Sequence, residues 1–406
     1  MVSRFRTALA LAGLTETHGT AAKRVVISSL DSPGNPHYNR GGAVVIEKLA
    51  RWLAADFEVT VVTAARRGGT VVRDGVRYKR LPVGWAGPRA GQLLFHALLR
   101  FSARRIRHDL WIENFTLPFS TRFLPLFAPT RVVGLTQSLS GVQMSRRYRL
   151  PFFLVERLGL RFYHDVVVLN SADRRLVRRY SPSATVWLVP NGVDPQCIDE
   201  QLLGQGEHIL FLGRIDIWIK GLDLLLAAYE MSGLATPLLV AGNGTWTDER
   251  RLRALLAATR GDVRWLGHVT GQQKHELLER SAFVAMPPRH DTSPLSALEG
   301  MAYGKPVVHF DLPPLRWMEG DLRVRPFDVG ALASEMRDLA GDERARRELG
   351  RAAHAAAQRF GWENTAEHYL TLVRQLLDAP GAGGRQGGVT ACQLTCLPRR
   401  SSAACP

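Results

Sequence analysis

Short apolar runs alternate with helical patterns along this chain, and the alternation restarts once near the middle. The runs predicted as strands in the first half are 24–30, 59–63, 76–82, 109–113, 132–136, 166–170 and 186–189. Those predicted in the second half are 208–212, 237–241, 263–266, 282–286 and 306–310. Helical stretches lie between them, notably 43–55, where apolar residues recur with a period near 3.6. This alternation is typical of an α/β fold in which parallel strands are joined by crossover helices.

The restart predicts two α/β domains. We place the break in 191–206, because this segment lacks apolar periodicity. The predicted parts are a leader over 1–23, a first domain over 24–190, a second domain over 191–360, an amphipathic helix over 361–378 and a tail over 379–406. We expect the leader and the Gly- and Pro-rich tail to be disordered. Because parallel sheets bind ligands at the carboxyl ends of their strands, two such domains would form a cleft between those ends.

Charge is distributed unevenly between the two predicted domains. Residues 24–190 hold 26 Lys and Arg against 10 Asp and Glu, whereas residues 191–406 hold 24 against 26. The excess suggests that the first domain faces an anion: a phosphate-bearing substrate, an acidic lipid or nucleic acid. The alternative is arginine enrichment from a GC-rich, bacterial genome, since Arg outnumbers Lys 47 to 6. No apolar run approaches the roughly 18–20 residues that span a bilayer.

The first charged motif follows the first strand of the second domain. That strand ends in Gly213-Arg214, and Lys220-Gly221 precedes the next helical stretch. Two cations beside free backbone amides favour binding of an anion such as a diphosphate. Two solvated loop charges would explain the same spacing.

The second charged motif is an acid pair, Asp291 and Glu299, at the start of a helix. We expect Ser293 to cap this helix and Pro294 to occupy its first position, which leaves free N–H groups for an anion or a sugar oxygen. Glu299 lies among small and apolar residues, where a carboxylate needs a partner such as a ligand hydroxyl. The alternative is that Glu299 faces solvent.

Together these motifs resemble glycosyltransferase family 4. The resemblance covers roughly residues 24–378 and includes the run Glu299-Gly-Met-Ala-x-Gly-x-Pro-Val-Val, the segment Asn191-Gly-Val-Asp and the segment Ala241-Gly-Asn-Gly. It implies the GT-B fold, in which two Rossmann-like domains face each other across a cleft and a C-terminal helix crosses back to the first domain. It also implies a retaining transfer from a nucleotide-sugar.

The resemblance assigns roles to residues of both domains. Arg214 and Lys220 would hold the donor diphosphate, Glu299 the ribose hydroxyls, and Asp291 the transferred sugar. The remaining donor contacts that it implies are the glycine loop Gly41 and Gly42, Gly213, the base-framing Gly267, His268 and Val269, and the backbone N–H groups of Leu295 and Ser296.

Two residues depart from the family pattern. The first acid of the pair is usually Glu, and Asp291 is one methylene shorter, which bears on the choice of donor sugar. Family members commonly place a His after the strand predicted at 132–136, whereas this chain has Gln137. We expect Gln137 to replace the His as a hydrogen-bond partner of the donor, unless the register differs by a few residues.

We therefore predict a retaining hexosyltransferase that uses a nucleoside-diphosphate sugar and an acceptor hydroxyl on a lipid, a glycan or a secondary metabolite. We expect no metal and no cofactor. The alternatives are a nucleotide-sugar epimerase of the same fold, or a non-catalytic basic protein that binds membrane or nucleic acid. A nicotinamide dehydrogenase is disfavoured, because 31–42 lacks GxGxxG spacing.

Location and partners follow from the same residues. The low cysteine content is typical of a reducing compartment, so we expect a cytoplasmic protein. Segments 89–107, 115–127 and 146–163 combine arginine with aromatic and aliphatic residues, which suits peripheral contact with the anionic inner face of the cell membrane. The alternative is that these segments pack against the sheet as ordinary crossover helices. We expect no specific nucleic acid partner.

Overall fold

A computed structural model describes residues 22–31, 41–115, 121 and 123–378. Its first sheet has eight strands: β1 (Arg24–Ser29), β2 (Glu58–Ala65), β3 (Gly69–Arg73), β4 (Val76–Pro82), β5 (Leu110–Phe115), β6 (Arg131–Thr136), β7 (Asp165–Val168) and β8 (Thr185–Leu188). They are ordered β3-β4-β2-β1-β5-β6-β7-β8. All neighbours are parallel except the antiparallel hairpin of β3 and β4. The helices of this domain are α1 (Gly41–Leu53), α2 (Gly87–Arg105), α3 (Gly141–Tyr148), α4 (Phe152–Leu160) and α5 (Ser171–Tyr180).

The second sheet has six parallel strands: β9 (His208–Leu212), β10 (Leu238–Ala241), β11 (Val263–Gly267), β12 (Ser281–Ala285), β13 (Val307–Phe310) and β14 (Asp321–Val324). They are ordered β11-β10-β9-β12-β13-β14. The helices around it are α6 (Ile217–Lys220), α7 (Leu222–Ser232), α8 (Trp246–Ala258), α9 (Gly271–Glu279), α10 (Leu295–Ala302), α11 (Val329–Gly341) and α12 (Glu343–Ala357). The last helix, α13 (Trp362–Asp378), follows them.

The first sheet is covered by different helices on its two faces. On one face, Leu49 of α1 and Tyr369 of α13 share an apolar cluster with the inward side chains of β1 and β5. On the other face, Phe95 of α2 packs with Leu160 and Trp111. Because the middle of the sheet is covered on both faces, the inner strands β1, β5, β6 and β7 are almost wholly buried and largely apolar, which makes them recognisable in the sequence.

The chain crosses between the domains at two adjacent points. The Val193 N–H donates to the Phe360 carbonyl at 2.7 Å, and the Trp362 N–H donates to the Val193 carbonyl at 3.3 Å. The segment that leaves the first domain is thus paired with the start of α13, which returns to it. The α13 helix is anchored there by its apolar face and by an ion pair between Arg374 and Asp56.

Each strand predicted from the sequence is present, and the GT-B architecture implied by the resemblance is confirmed. The predictions missed β3 and β14. The predicted leader and tail lie outside the described residues, apart from 22 and 23. In the part of the chain that the structure describes, no helix has the length and hydropathy that crossing a membrane requires.

Candidate donor site between the domains

Three glycine-containing turns at the carboxyl ends of β9, β10 and β11 form the floor of the candidate site. The Gly213 N–H donates to the Ala241 carbonyl at 3.0 Å, and the Gly242 N–H donates to the Gly267 carbonyl at 2.7 Å. A Cβ on Gly242 would lie 1.7 Å from the Gly213 carbonyl oxygen. Glycine is therefore required for these turns to approach each other, and they carry Arg214 out of the sheet at a fixed place.

Lys220 and Asp291 form a largely buried ion pair. Lys220 ends the short helix α6, and its Nζ lies 2.5 Å from Asp291 Oδ2, with side chains 18% and 13% exposed. The Thr292 N–H donates to the other carboxylate oxygen at 2.8 Å. Burial opposes ionisation of Asp291, but the Lys220 charge and these two hydrogen bonds outweigh it and hold the pKa of Asp291 below its ordinary value. The two motifs predicted separately from the sequence thus meet at one point.

The loop that carries Asp291 is fastened to α6. The Arg289 N–H donates to the Ile219 carbonyl at 2.9 Å, and the Arg289 guanidinium makes two 2.7 Å hydrogen bonds to the Asp223 carboxylate. At Gly221, where the φ angle is 67°, a Cβ would lie 2.0 Å from the Pro287 carbonyl oxygen. A bidentate arginine and a glycine contact therefore hold the loop against the helix end that presents Lys220.

Arg214 shares a buried carboxylate with an arginine of the first domain. Asp216 caps α6 by accepting from the Ile219 N–H at 2.9 Å, and its Oδ2 lies 3.4 Å from Arg214 Nη2. The same oxygen lies 3.8 Å from Nη1 of Arg147, on α3 of the first domain. Two guanidiniums around one carboxylate leave a net positive charge beside the Gly213 turn.

Glu299, on α10, forms an ion pair with Lys274 of α9. Its Oε1 accepts from Lys274 Nζ at 2.9 Å, with the side chains 27% and 34% exposed. The carboxylate is thus neither isolated nor fully solvated. The helix begins at Leu295, with Pro294 in the capping position and no side-chain cap, so the predicted Ser293 cap is wrong by one residue. The N–H groups of Leu295 and Ser296 lie in the first turn, where an α-helix provides no acceptor.

The first domain brings Gly42 and Gln137 together. A Cβ on Gly42 would lie 3.5 Å from Asp31 Oδ2 and 3.7 Å from Gln137 Cγ. Gln137 Nε2 is buried and has no hydrogen-bond partner among the described residues. Gly41 is the first residue of α1, so the helix starts two residues before the predicted position. An unsatisfied buried amide beside a glycine helix start is the type of group that a polar ligand would satisfy.

Both domains hold the loop around Asp291. The Ser138 hydroxyl and His290 Nε2 are 2.6 Å apart, and the Thr292 hydroxyl donates to the Gln137 carbonyl at 2.6 Å. Asn170 Nδ2 also donates to the Thr292 carbonyl at 3.3 Å. Burial lowers the pKa of His290, against the opposing charge of Asp291. Ser138 and Thr292 carry no recognisable signal in the sequence, because their partners are more than 150 residues away.

The residues expected to contact the base, Gly267, His268 and Val269, differ in their exposure. His268 is exposed at the end of β11, whereas Val269 is 4% exposed and packs with Leu210 and Leu278. Any contact of Val269 with a ligand would therefore involve its backbone. Among the described residues, no three His, Cys, Asp or Glu side chains are grouped as metal ligands.

Two family models match the chain, one on each domain. Residues 39–196 match the Glycosyltransferase Family 4 model, and residues 206–342 match the Glycosyl transferases group 1 model. The chain belongs to glycosyltransferase family 4. The gap between the two matched segments, residues 197–205, follows shortly after Val193, which pairs with the start of α13.

One relative is the phosphatidyl-myo-inositol mannosyltransferase of Mycolicibacterium smegmatis, which is 31% identical over 237 residues. The match covers 54% of this chain and 60% of the relative, which is less than two thirds of the relative's length. Sucrose-phosphate synthase from Thermosynechococcus elongatus has the same fold, with a TM-score of 0.70 and 20% identity over 88% of this chain and 100% of that one. Anabaena HepE in complex with UDP and glucose also has this fold, with a TM-score of 0.65 and 15% identity. That match covers 87% of this chain and 100% of the HepE chain.

Proposed function

We propose that this family 4 chain is a retaining glycosyltransferase that moves a hexosyl group from a nucleoside-diphosphate sugar to an acceptor hydroxyl. The observation that carries the proposal is the ion pair of Lys220 with Asp291, whose neighbour Thr292 donates to the Gln137 carbonyl of the first domain. Arg214, beside Asp216, and Glu299, beside Lys274, follow the carboxyl ends of strands of the same sheet. The UDP and glucose in the HepE complex support a nucleotide-sugar donor.

Two cations act on the leaving group in this proposal. Arg214 and Lys220 contact the diphosphate from their positions beside Asp216 and Asp291, and the first-turn N–H groups of Leu295 and Ser296 add their partial charge. The negative charge that develops on the departing diphosphate is stabilised by groups already fixed in place. No protein nucleophile is needed, because the acceptor attacks from the face of the leaving group and gives its proton to the departing phosphate. The proposed reaction requires no metal and no cofactor.

The carboxylates position the donor. Asp291, kept ionised by Lys220, accepts hydroxyls of the transferred sugar, while Glu299 accepts the ribose hydroxyls beside Lys274. The Gln137 amide supplies a donor from the other domain. Because Asp291 is shorter than the usual Glu, its contact with the sugar is expected to govern the choice of donor.

The acceptor side belongs to the first domain. Its basic surface fits an acceptor or partner with negative charge, and we propose peripheral contact with an anionic membrane. The name of the mycolicibacterial relative, a mannosyltransferase of phosphatidyl-myo-inositol, supports a lipid among the candidate acceptors.

The test is a thermal-shift and hydrolysis screen with uridine-, guanosine- and adenosine-diphosphate sugars. One donor should stabilise the protein and be hydrolysed slowly, and both effects should be lost in Arg214→Ala and Glu299→Gln. Matched controls are Arg260→Ala and Glu348→Gln, whose side chains are 93% and 61% exposed on the second domain. Release of an epimerised donor without acceptor would indicate the epimerase instead. A folded protein that responds to no donor would contradict the proposal.

A further inference from the structure

One stretch of the first domain, residues 84–164, is strongly basic. It contains 12 arginines and three acidic residues, Asp109, Glu113 and Glu156. Glu113 and Glu156 are buried, and Asp109 pairs with Arg24. Two of the arginines, Arg131 and Arg147, contact carboxylates outside the stretch, Asp165 and Asp216. The stretch still carries a clear excess of positive charge at its surface.

The same stretch exposes large apolar side chains. Ten of those exposed among the described residues lie between 85 and 158, including Leu93 and Phe101 of α2, each 58% exposed, and Leu154 and Leu158 of α4, each 50% exposed. Single exposed apolar residues are ordinary, but a concentration of them in a basic region marks an interaction surface.

Helices α2 and α4 border a common groove. Its volume is about 240 Å³, and its walls are Leu93, Ala97 and Arg100 from α2, Val155 from α4, and Thr121 and Phe123 between them. Leu93, Ala97, Arg100 and Arg104 follow one another at three- or four-residue intervals, so they form one stripe of α2. We call this stripe, with the exposed Phe101 of α2 and Leu154 and Leu158 of α4, the basic apolar face. It lies on the helix layer opposite α1 and α13.

The two arginines of this face share one aromatic ring. The Arg100 and Arg104 guanidiniums lie 4.9 and 5.5 Å from the centre of the Phe127 ring. The two guanidiniums are thus held beside an apolar ring. This is the arrangement in which arginine stays at a water boundary while its neighbours enter an apolar phase.

We propose that the basic apolar face docks the protein on an anionic phospholipid bilayer. Leu93, Phe101, Leu154 and Leu158 enter the headgroup–acyl boundary, the groove receives an acyl chain, and Arg100 and Arg104 bind lipid phosphate. A nucleic acid would use the arginines but would leave the leucines in water, so the composition favours lipid. Where the proposed transferase function holds, the acceptor is presented by the membrane; the docking itself does not depend on that function.

The test is cosedimentation of the full chain with vesicles of phosphatidylcholine alone or with 30% phosphatidylglycerol. We expect binding to the anionic vesicles that weakens with salt. Arg100→Gln with Arg104→Gln should lower the partition coefficient about 30-fold, roughly fivefold per arginine. Leu154→Ser with Leu158→Ser should weaken it tenfold or more without altering net charge. Arg260→Gln with Met231→Ser, an exposed arginine and an exposed apolar residue of the second domain, is the matched control and should bind like the wild type.

The outcomes separate the two proposals. Absence of wild-type binding to anionic vesicles would overturn docking, as would leucine variants that bind like the wild type, which would indicate a general polyanion site. Equal or tighter binding to single-stranded DNA, with the leucine variants unaffected, would point to nucleic acid.

Donor hydrolysis measured without vesicles should be unchanged in all these variants, because none touches the donor site. Vesicle binding without hydrolysis of any donor would contradict the transferase while leaving docking intact.

Discussion

The positive charges of the two regions differ in whether they are paired with carboxylates. In the candidate donor site each cation has a carboxylate: Arg214 has Asp216, Lys220 has Asp291 and Lys274 has Glu299. On the basic apolar face, no ion pair joins Arg100 or Arg104 to any of the described residues. The first arrangement holds side chains in fixed positions until a diphosphate competes for the cations. The second leaves a long-range field that attracts anions and is weakened by salt.

Two buried aspartates show the same contrast at the level of single groups. Asp291 is buried beside Lys220, and its pKa is held below the ordinary value. Asp173 is 4% exposed and lies beside Asn170 and near the Glu156 carboxylate, and burial raises its pKa to about 7. A nearby cation therefore decides whether a buried carboxylate is charged at neutral pH.

The largest expected effect is that of breaking the buried pair. Lys220→Met leaves Asp291 buried without its cation, which should lower the free energy of unfolding by about 3–5 kcal/mol. Turnover of the donor identified in the screen should fall by about 100-fold or more, because a cation at the leaving group is lost. Denaturant unfolding and initial rates measure the two effects.

A double variant separates these effects. Lys220→Met with Asp291→Asn removes the stranded charge and should recover most of the stability without restoring turnover. As the exposed control, Arg264→Met breaks a pair with Asp262 whose side chains are 62% and 39% exposed, and should change stability by less than about 1 kcal/mol. Equal effects of the exposed and buried pairs would contradict the comparison.

Asp173 provides the second test, through pH. Its raised pKa means that the folded state holds the proton more tightly than the unfolded state, so the unfolding free energy should decrease as pH rises from about 4 to 7. Asp173→Asn mimics the protonated form and removes this decrease. At pH 8.5 the variant should be more stable than the wild type by up to about 4 kcal/mol, at 1.36 kcal/mol per pKa unit, and the gain should shrink toward pH 5. A gain that is independent of pH would contradict burial as its cause.

The sequence predicts strands well where both faces of the sheet are covered. The two missed strands lack that signal. All five residues of β3 are exposed, and its hairpin partner β4 supplies the hydrogen bonds. The edge strand β14 has four residues, two of them charged. Neither segment has the continuous apolar run by which a buried parallel strand is recognised.

The site was predictable only in part, for a different reason. Arg214, Lys220, Asp291 and Glu299 belong to local motifs, and their residue types and spacing carry the signal. Their partners Asp216 and Lys274 belong to none of these motifs. Arg147 and Ser138 come from the other domain, and a single sequence does not encode such pairings in any local period. Long-range contacts of this kind become visible only in the folded chain.

Arg147 gives a third prediction, of moderate size. It competes with Arg214 for Asp216, so Arg147→Ala should let Asp216 bind Arg214 more tightly and make Arg214 less available to the donor diphosphate. We expect a severalfold increase in the donor KM with a smaller change in kcat. Arg146→Ala, an exposed neighbour on the same helix, is the control. An unchanged KM in Arg147→Ala, or an equal change in Arg146→Ala, would contradict this role.

The smallest expected effect concerns the stability of the basic apolar face. Arg104 contacts the Phe127 ring and has no ionic partner among the described residues, so Arg104→Gln should change the unfolding free energy by no more than about 0.5 kcal/mol. Removing a positive charge from a basic surface relieves repulsion, which offsets the lost ring contact. Thermal unfolding in low and high salt measures the net change in stability. Any increase in stability should be larger in low salt, where the charges are less screened. A loss comparable to that of Lys220→Met would mean that Arg104 is a structural residue of the first domain, and the contrast between fixed and free cations would fail there.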